Sequence, residues 1–164
     1  MEILASTPRV KTDTFDSTKF PSDHLRVAVT LDDGYKDNLY AAAPVLLKYG
    51  IPFTVFVVSS YVRDGSREYL SPSELMELAG LPGATVGSHG ATHRPLAGCD
   101  DRTLRRELYG SRSRLEDITG KPVTFLSYPY GSVDRRIRDA AERAGYTRGG
   151  CSSFGMNERN RDPL

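Results

Sequence analysis

Strands alternating with helices predict an α/β fold on parallel strands, either an open sheet or part of a (β/α) barrel. Three observations carry this reading. Leu25 to Leu31 is a β-branched run closed by the turn residues Asp32-Asp33-Gly34. Phe53 to Val58 is apolar apart from Thr54, the pattern of a strand covered on both faces. The segment that follows the first run, Asn38 to Tyr49, is rich in helix formers and stops at Gly50. An eight-unit barrel needs about 250 residues. The chain has 164, so it can supply only part of one.

Residues 1–24 are mixed polar, with Pro8 and Pro21 and no sustained period, and read as an N-terminal arm or linker ahead of one domain over 25–164. Asn38 to Tyr49 is a helix stopped by Gly50, with Pro44 inside it predicting a kink or a broken start. Ser71-Pro72-Ser73-Glu74 opens the next helix: Ser71 caps, Pro72 takes the first position and Glu74 completes a capping box. Ala84 to Gly87 is a short strand. Asp100 to Ile118 is a long charged helix with Leu104, Leu108, Leu115 and Ile118 along one stripe, ended by Gly120. Val123 to Leu126 is a fourth strand, Arg135 to Ala144 a helix closed by Gly145, and Tyr146 to Gly150 a weak fifth strand. Too few βα units follow to close a barrel, so the last strand should leave an open sheet edge. Such edges invite pairing, and a homo-oligomer, or association with a missing partner segment, is the expected remedy.

The balance of 22 basic against 21 acidic residues gives a net charge of +1, which excludes a strong electrostatic binder of nucleic acid or anionic membrane. The arginines of 102–114 and 135–143 alternate with Asp and Glu and read as solvated helix faces. No apolar run approaches the ~18 residues of a membrane helix. Met1-Glu2-Ile3-Leu4 lacks the basic and apolar regions of a signal peptide, so a cytoplasmic location is expected. Cys99 and Cys151 have no Cys-x-x-Cys spacing and are expected as free thiols. A Gly-x-Ser-x-Gly elbow, a phosphate loop with Lys and a Gly-x-Gly-x-x-Gly turn are all missing, which leaves hydride and phosphoryl transfer unsupported.

Three polar clusters stand directly after three predicted strands: Asp32-Asp33, His89…His93 and Tyr128-Pro129-Tyr130-Gly131. In parallel α/β folds the C-terminal strand ends share the face where ligands bind, so the clusters should converge. Histidines four apart lie on one face of a helical turn and can share a metal, here in a Gly-rich segment expected to be exposed. Two imidazoles and a carboxylate suit a catalytic Zn²⁺ with an open position, and equally Fe(II) or another divalent ion. Zn²⁺ lowers the pKa of its water and polarises a carbonyl. Of Asp32 and Asp33, one can ligate while the other stays free as general base, and spacing leaves open which does which. The Tyr-Pro-Tyr-Gly segment suits a tight turn. Beside a metal it could also offer an aromatic wall for a sugar ring and backbone N–H groups for an oxyanion.

In this order, these residues resemble the polysaccharide deacetylases of the NodB-homology type, carbohydrate esterase family 4. Thr30-Leu31-Asp32-Asp33-Gly34-Tyr35 is similar to that family's Thr-Phe-Asp-Asp-Gly motif. His89-Gly90-Ala91-Thr92-His93 is similar to His-(Ser/Thr)-x-x-His, and Ser127-Tyr128-Pro129-Tyr130-Gly131 to Arg-x-Pro-Tyr-Gly. The resemblance spans about residues 25–150 and implies a distorted, incomplete (β/α) barrel. It implies a metal-dependent hydrolase of carbon–nitrogen bonds that removes acetyl groups from an N-acetylated sugar or polysaccharide. Asp32 would be the general base, and Asp33, His89 and His93 would hold a divalent metal, Zn²⁺ by expectation. Tyr128, Pro129, Tyr130 and Gly131 would line the substrate side, with the Tyr130 N–H on the oxyanion. Gly90 stands where Ser or Thr is usual, and Ser127 where an Arg orients the catalytic Asp. The chain has no Trp for the fourth motif. The fifth motif's His, a general acid, would lie beyond Leu164, so a domain truncated at its C-terminus is expected. Two other readings fit the residues: a catalytically weak carbohydrate-binding or scaffold module that keeps the fold, or a hydrolase of non-sugar amides or cyclic imides.

Overall fold

The computed structural model describes residues 6, 10–15, 25–152 and 164. Most of the predicted arm, and residues 153–163 of the predicted domain, lie outside the described residues. The strands are β1 (Val10–Asp13), β2 (Leu25–Leu31), β3 (Phe53–Val57), β4 (Ala84–Ser88), β5 (Phe125–Ser127) and β6 (Arg148–Gly150). They form one sheet in sequence order, each parallel to its neighbour, and curl into an incomplete barrel. β1 and β6 are its edges. The sequence predicted no strand at 10–13. β1 is held by pairing to β2 and by an ion pair between Asp13 and Arg26, long-range contacts that local pattern does not reveal.

Parallel neighbours require crossovers, and helices provide them. They are α1 (Ala43–Lys48), α2 (Pro72–Gly80), α3 (Asp101–Arg105), α4 (Ser111–Thr119) and α5 (Arg135–Arg143). A π turn, Asn38–Ala42, leads into α1, and the Ala43 N–H bonds to the Asn38 carbonyl five residues back. Pro44 has no N–H and its ring crowds the preceding turn, so the helix widens there rather than breaking. A second π turn, Arg106–Gly110, joins α3 to α4 within the long helix expected as regular. Gly120 ends that helix in the left-handed conformation.

β3 is central and every residue in it is buried. Val55 and Val57 face the helices and join one core with Leu46, Leu75, Leu108 and Ile137. Phe56 and Phe125 lie on the concave side, where the Phe15 ring packs edge-on at centroid distances of 5.2 and 5.4 Å. Most arginines of 102–114 and 135–143 are exposed, as expected, and some of them also make specific bonds. Arg114 donates to the Ser59 and Val62 carbonyls, and Arg112 to that of Ala144, so these side chains tie helices to loops. Among the described residues no helix is long and apolar enough to cross a membrane. Cys99 and Cys151 are not joined in a disulfide.

The capping box forms as predicted: Ser71 Oγ accepts from the Glu74 N–H, and Glu74 Oε2 accepts from the Ser71 N–H at 2.7 Å. Glu74 Oε1 also takes Lys36 Nζ and the Tyr40 hydroxyl, each at 2.9 Å. The Ser71 N–H, then Lys36, hold the Glu74 carboxyl down from 4.5 to about 2. A depressed carboxyl contributes stability that is complete above its unfolded value and is lost as pH falls through its folded one. The gap in unfolding midpoint between wild type and Glu74→Gln should therefore shrink as pH falls from 4.5 toward about 2. A gap of constant size across thermal melts in that window would contradict this.

Candidate metal centre

The register aligns Leu31 with Val55, Val57 with Ser88, and Ser88 with Leu126, so β2, β4 and β5 end on one rim. The three polar clusters converge there. After β2 the chain turns sharply: Asp33 has φ 71° and Gly34 φ 79°, and the Gly34 N–H bonds to the Asp32 carbonyl at 3.0 Å. A Cβ on Gly34 would stand 2.9 Å from Val57 Cγ1, so both backbone angle and space require glycine. This turn separates the two aspartates. Asp33 points inward with its side chain 25% exposed, while that of Asp32 is 52% exposed.

The histidines do not share a helical turn. His89 extends β4, Gly90 follows at φ 76°, and His93 sits at φ 55°. This irregular loop still brings the two Nε2 atoms within 3.2 Å. His89 is also buried, at 4% exposure, where the sequence led us to expect an exposed pair. Its backbone N–H bonds to the Val57 carbonyl at 2.9 Å, and its Nδ1 lies 2.7 Å from the Ser127 carbonyl. A carbonyl can only accept, so Nδ1 donates to it and Nε2 is the ring nitrogen turned to the site.

Asp33 Oδ1 lies 3.8 Å from His89 Nε2 and 3.4 Å from His93 Nε2. It is buried without a hydrogen-bond partner among the described residues. One donor atom from each of the three residues falls within 4.8 Å of the others. Buried polar oxygens are otherwise nearly always paired. An orphaned carboxylate oxygen facing two imidazole nitrogens fits a divalent cation. Asp32 stands just outside, its Oδ2 3.9 Å from His89 Nε2.

The Tyr130 ring packs on the His93 ring at 4.7 Å and is 67% exposed. Tyr128 is different: at 3% exposure its ring belongs to the core, and Pro129 is buried too. Of this segment's two tyrosines, Tyr130 is therefore the one that can offer an aromatic wall, while Tyr128 and Pro129 shape the turn and Gly131 closes it at φ 65°. At the expected Arg position, Ser127 offers His89 its backbone carbonyl. Asp33, His93 and Tyr130 are the non-glycine residues with positive φ among the described residues, one from each cluster. Such conformations cost about 1–3 kcal/mol each and persist only where the surroundings enforce them.

Sequence reasoning missed Glu107. Its carboxylate is fully buried and accepts the Ala91 and Thr92 N–H groups within the histidine loop. The available signal was a charged residue on the apolar stripe, three after Leu104 and just before Leu108.

Residues 21–149 match the family model described as polysaccharide deacetylase. The chain is 30% identical over 154 residues to YxkH of Bacillus subtilis (strain 168), whose name places it among polysaccharide deacetylases. That match covers 94% of this chain and 54% of the relative, so the chain spans about half the relative's length. The Bacillus cereus polysaccharide deacetylase BC0361 superposes with TM-score 0.79 at 29% identity, over 94% of this chain and 48% of that one. The Streptococcus pyogenes deacetylase PplD, solved in complex with acetate, shares the fold with TM-score 0.83 at 19% identity, over 94% of this chain and 70% of that one.

Gly34→Ala should lower unfolding stability by about 1–3 kcal/mol, combining the left-handed backbone cost with crowding of Val57. Urea unfolding measures it, and an unchanged midpoint would contradict this account of the turn.

Proposed function

The chain belongs to the polysaccharide deacetylase family, and from that premise we propose that it hydrolyses the acetamide of an N-acetylated sugar at the rim of β2, β4 and β5. Asp33, His89 and His93 would hold one divalent cation, Zn²⁺ being the expected ion for two imidazoles and a carboxylate with a position left open. The observation that carries this reading is the buried, unpartnered Asp33 Oδ1 beside the two Nε2 atoms. A cation held there would polarise an acetyl carbonyl and acidify a water.

This chain's own groups take the remaining roles. Asp32 is the more exposed carboxylate and lies outside the ligand trio, which suits it to take the proton from the attacking water. As water adds to the acetyl carbon, the carbonyl oxygen gains charge, and the Tyr130 backbone N–H is the proposed donor to it. The C–N bond then breaks as the proton taken by Asp32 passes to the leaving nitrogen, releasing acetate and the amine. The exposed Tyr130 ring, fixed against His93, offers a flat apolar face for a pyranose ring. The His89 Nδ1 bond to Ser127 holds the ring orientation that ligation needs.

His89→Ala should abolish stoichiometric metal uptake. Asp32→Asn should keep the metal but lose about 10²–10⁴-fold in acetate release from N-acetylglucosamine oligomers. Metal content and acetate assays read both. Full uptake by His89→Ala, or undiminished turnover by Asp32→Asn, would overturn the assignment.

A further inference from the structure

We infer that Glu107 is a positioning residue for the ligand loop, clamping Ala91 and Thr92 so that His93 is delivered to His89 and Asp33. The inference rests on the proposed metal reading of those three residues. Glu107 lies in the π turn between α3 and α4, a helix irregularity frequent at functional sites. Its side chain is 0% exposed. Oε2 accepts the N–H groups of both Ala91 and Thr92 at 2.9 Å, and Oε1 accepts the Thr92 hydroxyl at 2.7 Å. Arg94 Nε lies 3.3 Å from Oε1 and also donates to Thr92 Oγ1 at 2.9 Å. A carboxylate is an acceptor-only group with two oxygens, which matches the two N–H groups and the hydroxyl that the loop turns toward it.

One turn on, Ser111 completes the clamp. Its hydroxyl donates to the Gly90 carbonyl at 2.9 Å and lies 2.7 Å from Ser88 Oγ, which takes the Gly90 N–H at 3.2 Å. Gly90 has no side chain with which to brace its own loop, and a Cβ there would stand 3.4 Å from Glu107 Oε2. The bracing therefore comes from the helix. His93 needs it because its φ of 55° lies in the left-handed region, uncommon for any residue with a Cβ, and is held there by the bonds on either side.

Glu107→Gln is the test, because the amide keeps the shape but points an NH₂ group at donors. Two readouts separate positioning from bulk stability: Zn²⁺ affinity by chelator competition, and hydrogen–deuterium exchange of residues 89–94 in metal-free protein. We expect Zn²⁺ binding to weaken about 10–100-fold, as for partners that orient metal ligands. Loop exchange should accelerate roughly tenfold or more while β3 stays protected. A lower melting point with unchanged loop exchange and unchanged affinity would make Glu107 merely structural and overturn the proposal. If wild type takes up no Zn²⁺, the metal reading falls by itself, and the exchange comparison still decides whether Glu107 orders the loop. Should Glu107→Gln not fold, Thr92→Val, which removes only the hydroxyl on Oε1, is judged by the same two readouts.

Discussion

The hydrogen bond from His89 Nδ1 to the Ser127 carbonyl, 2.7 Å long, joins the ends of two strands that touch in register only at Ser88 and Leu126. It spends the one ring nitrogen that could have turned away from the rim. The other nitrogen is left facing Asp33 and His93. The parallel sheet brings the strand ends together, and this bond converts the proximity into an oriented ring nitrogen. The inward turn of Asp33, the left-handed His93 and the ring of Tyr130 on His93 all take their places around it.

Rigid and strained parts are divided clearly. β3 is buried throughout, and leucines from the helices pack on it in a continuous core, so the rim is mounted on a stiff base. The strain sits in the loops above, at Asp33, His93 and Tyr130. At about 1–3 kcal/mol each, against a typical domain stability of about 5–15 kcal/mol, three such residues are a substantial cost. A chain free to relax would have adopted ordinary turns. Their coincidence with the three motif-bearing clusters argues that the conformation serves the site, since left-handed non-glycine residues gather where geometry is imposed for function.

Much of this was legible in the sequence because it is local. The β-branched run 25–31, the apolar run from Phe53 and the Ser71–Glu74 capping box each state their structure within a few residues. The convergence of the clusters was legible too, because parallel topology dictates it. What stayed hidden depends on contacts across the fold. β1 exists through its pairing with β2, and Phe15 through Phe56 and Phe125. A spacing of four residues is silent about Gly90, whose left-handed turn replaced the expected helical geometry of the histidines. Two adjacent aspartates read alike until the turn at Gly34 buries one and exposes the other. Two adjacent-looking tyrosines behave in the same way: Tyr128 ends in the core and Tyr130 in solvent. Glu107 was masked by the charged residues around it, although its place on the leucine stripe marked it as buried.

The proposed chemistry needs one cation held by Asp33, His89 and His93, with Asp32 left outside. Anomalous diffraction at the zinc edge from a Zn²⁺-loaded crystal tests this most directly. The prediction is a single peak about 2.0–2.2 Å from His89 Nε2, His93 Nε2 and an Asp33 oxygen, the usual range for Zn²⁺ with nitrogen and carboxylate ligands. A peak held by Asp32 in place of Asp33, or one away from this rim, would contradict it.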